Sequence, residues 1–191
     1  TFALVEGAPT NTFDVSTASF VDSFSVVSQD NSLGGLEFSN DGFKMFVLGD
    51  IGNDVIEYNL STAFDVSTAS FVDSFSVAAQ ETAPTGLAFN TDGTKMFVVG
   101  SDGDDVNEYT LSTGFDVSTA SFVDSFPVGQ GETAPREVVF STDGTKMFVI
   151  GTTNDAVAEY TLSTGFDVST ASFVDSYAVT SEFADPYSLE F

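Results

Sequence analysis

FDVSTASFVDS occupies Phe13–Ser23, Phe64–Ser74, Phe115–Ser125 and Phe166–Ser176 without one changed letter, and each copy begins 51 residues after the previous one. A fixed period of this size marks a repeat architecture, in which each unit buries its apolar face against its neighbours. No insertion or deletion breaks the register, so any residue can be compared with its counterparts in the other units.

Outward from this segment, the second unit reads as four short strands. Pro84–Phe89 is apolar and ends at Asn90-Thr-Asp-Gly93, where Gly supplies the φ > 0 that a tight hairpin needs. Lys95–Val99 is rich in β-formers and stops at Gly100. A polar acidic turn, Ser101–Asp105, precedes Val106–Leu111, where apolar and polar residues alternate. A longer connection then leads into Ser121–Val128. Within it, Asp116 with Ser118 and Thr119 reads as a side-chain-to-backbone turn. Four antiparallel strands per unit, with no helical period, fit the blade of a β-propeller. The expected fold is an all-β, propeller-type array of about 3.75 blades in one domain. It divides into a partial blade at 1–32, repeats at 33–83, 84–134 and 135–185, and a final strand at 186–191.

The pattern P-x-G-L-x-F-x-x-D-G-x-K-M-F-V-x-G, followed by D-x-V-x-E-Y, spans Pro84–Tyr109. It recurs at Pro135–Tyr160 and more loosely at Leu36–Tyr58. It resembles the blades of YVTN- and NHL-like propellers, a group of secreted and surface proteins. The resemblance covers nearly the whole chain and implies the architecture; the fold itself hosts binding modules and enzymes alike. Rings of that group commonly hold six to eight blades. The chain therefore reads as a piece of a larger ring, a small ring with one incomplete blade, or part of an assembly joined through open blade ends. It begins at Thr1 and shows no signal peptide, which fits a mature form or a fragment.

Composition narrows the chemistry. The net charge of −25 comes from 29 acidic residues against Lys44, Lys95, Lys146 and Arg136. Such a surface repels nucleic-acid phosphate and anionic lipid. No stretch reaches the ~20 apolar residues of a membrane-spanning helix. There is no Cys, His or Trp, so thiolate chemistry and the commonest general base are missing. The 21 Phe supply a core.

In a propeller the d–a and b–c connections lie on one face, and the a–b and c–d connections on the other (strands a to d running outward from the axis). The a–b turns (SNDGFK, NTDGTK, STDGTK) and the c–d connections are nearly uniform. The d–a connections (VSQDNSLGG, AAQETAPTG, GQGETAPRE) and the b–c turns vary. Recognition is expected on the varied face. Its candidate partner-binding residues are Gln80, Glu81, Thr82, Gln130, Glu132 and Arg136, the last placed to line a channel. The acidic b–c turns, with Asp50, Asp54, Asp102, Asp104 and Asp105, suit a hard cation such as Ca²⁺. The lysines are expected to pair locally with a turn or strand-d carboxylate. Asp22, Asp73, Asp124 and Asp175 guard the outer edge against strand pairing.

The expected function is non-enzymatic: an extracellular or cell-surface module that binds a protein or glycan, or serves structural assembly. No catalytic residue and no organic cofactor are expected. Two alternatives stand beside it, a hydrolase of lactonase or gluconolactonase type and a structural subunit of a surface layer, fibre or filament. The case against an enzyme rests on near-identical units, which leave no set of different inner-strand residues to converge on one site.

Overall fold

The computed structural model describes Ser16, residues 18–179 and residues 186–189. Twelve strands form three four-stranded antiparallel sheets among the described residues. The first holds β1 (Leu33–Phe38), β2 (Lys44–Gly49), β3 (Asp54–Leu60) and β4 (Ala69–Ser76). The second holds β5 (Pro84–Phe89), β6 (Lys95–Gly100), β7 (Asp105–Leu111) and β8 (Ala120–Pro127). The third holds β9 (Pro135–Phe140), β10 (Lys146–Gly151), β11 (Ala156–Leu162) and β12 (Ala171–Ala178). In each, spatial order follows chain order, which is the meander of a propeller blade. Strands β1, β5 and β9 lie side by side on the inner rim. Residues 18–32 pass without a strand, and so do Pro186–Leu189, where a final strand is expected.

The turns form where their chemistry puts them. Gly42, Gly93 and Gly144 take φ of +73°, +71° and +69°, with Asp41, Asp92 and Asp143 binding the backbone N–H two residues on. Asp65, Asp116 and Asp167 accept from Ser67, Ser118 and Ser169 N–H, capping one-turn 3-10 helices in the repeated segment. Edge strands β4, β8 and β12 are largely exposed and carry a bulge opposite β3, β7 and β11. Asp73, Asp124 and Asp175 sit at that bulge, a combination that discourages edge-to-edge pairing.

The core lies between blades rather than within them. Phe46, Leu48 and Val55 of the first sheet pack on Leu87, Met96, Val98 and Tyr109 of the second; Phe97, Val99 and Val106 pack likewise on the third. Ring pairs cross both interfaces, Phe46 with Phe89 at 4.6 Å and Phe97 with Phe140 at 4.3 Å. Phenylalanine and tyrosine thus fill the space between blades, which is the core their number leads one to expect.

The lysines differ from expectation. Lys44, Lys95 and Lys146 pair with Glu57, Glu108 and Glu159 on the third strand of their own sheet, not with a turn or strand-d carboxylate. Lys44 and Lys95 also reach the next blade. Lys44 Nζ donates to Phe115 O at 2.7 Å while Glu57 Oε2 accepts from Val117 N at 3.0 Å. Lys95 Nζ donates to Phe166 O at 2.6 Å, and Glu108 Oε2 accepts from Val168 N at 2.9 Å. These two pairs therefore clamp the Phe-Asp-Val turn of the following unit. Partial burial removes the competing water that makes a surface ion pair weak.

Candidate functional site

The varied d–a connections are built around a buried acid. Glu81 and Glu132 are fully buried. Glu81 accepts from Ala83, Asp102 and Gly103 N–H, and Glu132 from Thr133, Ala134, Thr153 and Asn154 N–H. Asp30 holds the same place in the first unit. Burial alone would raise its pKa, but the Ser32, Gly52 and Ile51 N–H groups outweigh it and keep the carboxyl below its usual value. These carboxylates tie each b–c turn to the d–a connection and are turned away from a partner. Gln80 accepts from the Tyr109 hydroxyl at 3.3 Å and Thr82 donates to Asp102 at 2.5 Å, whereas Gln130 is exposed.

The acidic b–c turns do not gather around one point. Asp50 accepts from Ser32 and Asp105 from Asn107. Asp54 is held above the usual carboxylate range by burial, with the charge of Asp30 adding to it. Among the described residues no group of three or more acidic side chains is placed to hold a metal ion.

The inner rim is where units part company. Counterparts at one position are Gly34, Thr85, Arg136 and Tyr187; at the next they are Gly35, Gly86, Glu137 and Ser188. Neighbouring inner strands approach so closely that a Cβ on Gly34 would stand 2.8 Å from Pro84 O, and one on Gly86 2.6 Å from Arg136 O. Thr85 Oγ1 bridges the same gap, donating to Pro135 O at 2.8 Å. Of the four counterparts Gly34, Thr85, Arg136 and Tyr187, only the last two carry a large side chain. The guanidinium carbon lies 5.2 Å from the Tyr187 ring centroid, in cation–π contact, and its Nε is buried without a hydrogen-bond partner among the described residues. Glu137 Oε2 accepts from Leu189 N at 2.6 Å. With Asp50 and Thr85 these side chains line a pocket at the inner rim, opening toward the varied face.

This corrects the premise that the units present the same inner strand. The signal was legible: reading Gly34, Thr85, Arg136 and Tyr187 down the 51-residue register exposes it. Arg136 was singled out by composition, and Glu137 and Tyr187 were missed.

Three four-stranded meanders with a common inner rim define a β-propeller, and solved structures bear this out. The chain is similar to a periplasmic gluconolactonase of Pseudomonas aeruginosa (TM-score 0.58, 20% identity, covering 81% of this chain and 41% of that one). It is similar to a proposed 6-phosphogluconolactonase of Bacteroides fragilis (TM-score 0.55, 16% identity, 75% and 38% covered). A third likeness is to the Cps50 (Swd1) β-propeller domain of Myceliophteria thermophila (TM-score 0.52, 12% identity, 77% and 43% covered). The chain thus spans about two fifths of the length of these structures. No protein-family model matches the sequence, and no curated protein does.

At such identities the likeness shows the fold alone. The expectation of a non-enzymatic surface module is corrected on two findings: the solved structures of similar fold include lactonases, and the inner strands, whose likeness was the ground for setting an enzyme aside, are not alike. No helix among the described residues is long and apolar enough to cross a membrane.

Proposed function

We propose that this chain forms part of a lactonase-type propeller that hydrolyses a sugar lactone at the inner-rim pocket. The observation that carries the reading is the single arginine, placed beside Glu137 at an inner-rim position that differs in all four units, with its Nε buried and unpartnered among the described residues. The names of the lactonase neighbours support it. Arg136 donates to the lactone carbonyl oxygen and stabilises the charge that develops there as water attacks. Glu137 takes the proton of that water and returns it to the ring oxygen as the acyl C–O bond breaks. The product is the open hydroxy acid. Tyr187 supplies a face for the guanidinium and, beside it, for a sugar ring.

The charge of the chain bears on the substrate. A protein at −25 does not repel a neutral lactone, yet repels the carboxylate that its opening produces, which favours release. A neutral lactone is therefore preferred over a phosphorylated one, and added salt narrows the difference. An extracytoplasmic setting fits the periplasmic gluconolactonase neighbour.

The test is a pH-stat assay of glucono-δ-lactone opening. We expect acceleration above the buffer rate, lost by about 100-fold in kcat/KM in Arg136→Ala, with folding stability changed by no more than about 0.5 kcal/mol. A rate no faster than buffer, or one indifferent to Arg136, overturns the proposal.

A further inference from the structure

One place in the b–c turns exchanges a donor for an acceptor. Asn53 and Asp104 are counterparts in the first and second units, both in the left-handed region at φ +50°. Their backbone surroundings match. Val77 N donates to Asn53 O at 2.8 Å, and Val128 N to Asp104 O at 2.9 Å. Asp50 N donates to Ser32 O, and Ser101 N likewise to Ala83 O. The d–a connections that follow also turn alike: the Gln80 and Glu81 N–H groups meet Val77 O, and those of Gly131 and Glu132 meet Val128 O.

The two side chains differ in what they can do there. With its amide nitrogen turned inward, Asn53 donates to Thr82 O at 3.0 Å and to Asp50 O at 2.9 Å. It thereby ties its b–c turn to the connection that leads into the next blade. By the 51-residue register, the corresponding carbonyls in the second unit are those of Thr133 and Ser101. Asp104 has the shape of Asn53 but no N–H to give them. Its Oδ1 is buried and has no hydrogen-bond partner among the described residues. In this arrangement a carboxylate oxygen faces two carbonyl oxygens, which is costly unless something positive stands between them.

We propose that Asp104 binds a calcium ion together with Ser101 O and Thr133 O, the ion standing where the Asn53 amide nitrogen stands in the first unit. Such a site needs no cluster of acidic side chains, because backbone carbonyls are ordinary Ca²⁺ ligands. Asp104 is only half-buried, so water completes the roughly six to eight oxygens that the ion takes. Asp102 and Asp105 in the same turn add negative charge that favours a divalent ion over a monovalent one. The net charge of −25 concentrates cations around the whole chain. The ion fastens the second b–c turn to the connection leading into β9, as an amide does one unit earlier.

Thermal unfolding of the 191-residue chain, in EDTA and in about 10 mM CaCl₂, tests this. With a Kd of about 0.5 mM, in the range of extracellular calcium modules, the melting temperature of the parent chain rises by about 5 °C. Asp104→Asn melts above the parent in EDTA, since it regains the donor that Asn53 has, and Ca²⁺ no longer raises its melting temperature. Asp124→Asn removes the same charge from an exposed strand and keeps the full rise. Three results overturn the proposal: no rise in the parent, an equal rise in Asp104→Asn, or a rise matched by NaCl at the same ionic strength. A gain in Asp104→Asn without a calcium response in the parent would place a proton, not an ion, on Asp104, and overturns it too. The outcome is independent of lactone opening, which can fail or succeed without moving these curves.

Discussion

The Phe-Asp-Val turn and the position held in turn by Gly34, Thr85, Arg136 and Tyr187 belong to the same repeat and obey opposite rules. The turn is constant because it meets another copy of the same unit, through Lys44 and Glu57 or Lys95 and Glu108. A change in it would have to suit two units at once. The inner position faces the space around the axis, which each blade views from its own angle, and so it is free to differ. Uniformity in this chain marks contact between blades, and variety on the inner rim marks the place where chemistry is available.

The widest break in that contrast is Glu108→Ala. It strands Lys95 and leaves the Val168 N–H without its acceptor, and a loss of about 3 kcal/mol in urea unfolding is expected. A loss below about 1 kcal/mol, within the range of an exposed pair, would mean that the clamp does not hold the blades. Gly93→Ala ranks next. It forces a side chain into φ +71° and sets a Cβ 2.3 Å from the Phe115 ring, at a cost of about 2 kcal/mol; chemical denaturation measures it, and an unchanged midpoint would show the Phe115 turn to be loosely seated. The smallest effect concerns Asp143. The Thr145 N–H, with the Ser141 and Thr145 hydroxyls, lowers its pKa to about 2. A carboxyl held below its ordinary value stabilises the fold above that value and ceases to as pH falls toward the folded pKa. Melting temperatures taken from pH 4 to pH 2 should therefore fall less in Asp143→Asn than in the parent chain. Equal slopes would remove Asp143 from the acid response.

Much of the fold is legible in the sequence because its signals are local. Asp-Gly turns and alternating strands place β5 at Pro84–Phe89, and β6 to β8 within one residue of their ends. The clamp was not legible, since Lys44 meets Phe115 O across 71 residues and no local pattern announces that contact. Its partner Glu57 lies across the β2–β3 ladder, while sequence reasoning looked to the turns and to strand d. Glu81 and Glu132 look like exposed loop acids and are buried, because a turn lined with backbone N–H groups needs an acceptor at its centre. The pocket was hidden for another reason. Sequence reading compared loops between units and treated the strands as constant, whereas the informative differences sit at Arg136, Glu137 and Tyr187 on the inner strand and beside it.

The clamp also bears on how such a chain changes length. Lysine and glutamate come from one unit and the turn they hold from the next, so every junction is written in two halves on adjacent stretches of sequence. Excising or duplicating any 51-residue stretch rejoins a left half to a right half of the same kind. The number of blades can therefore drift by whole units without a new interface having to arise, while a shift of any other length would separate each lysine from its turn.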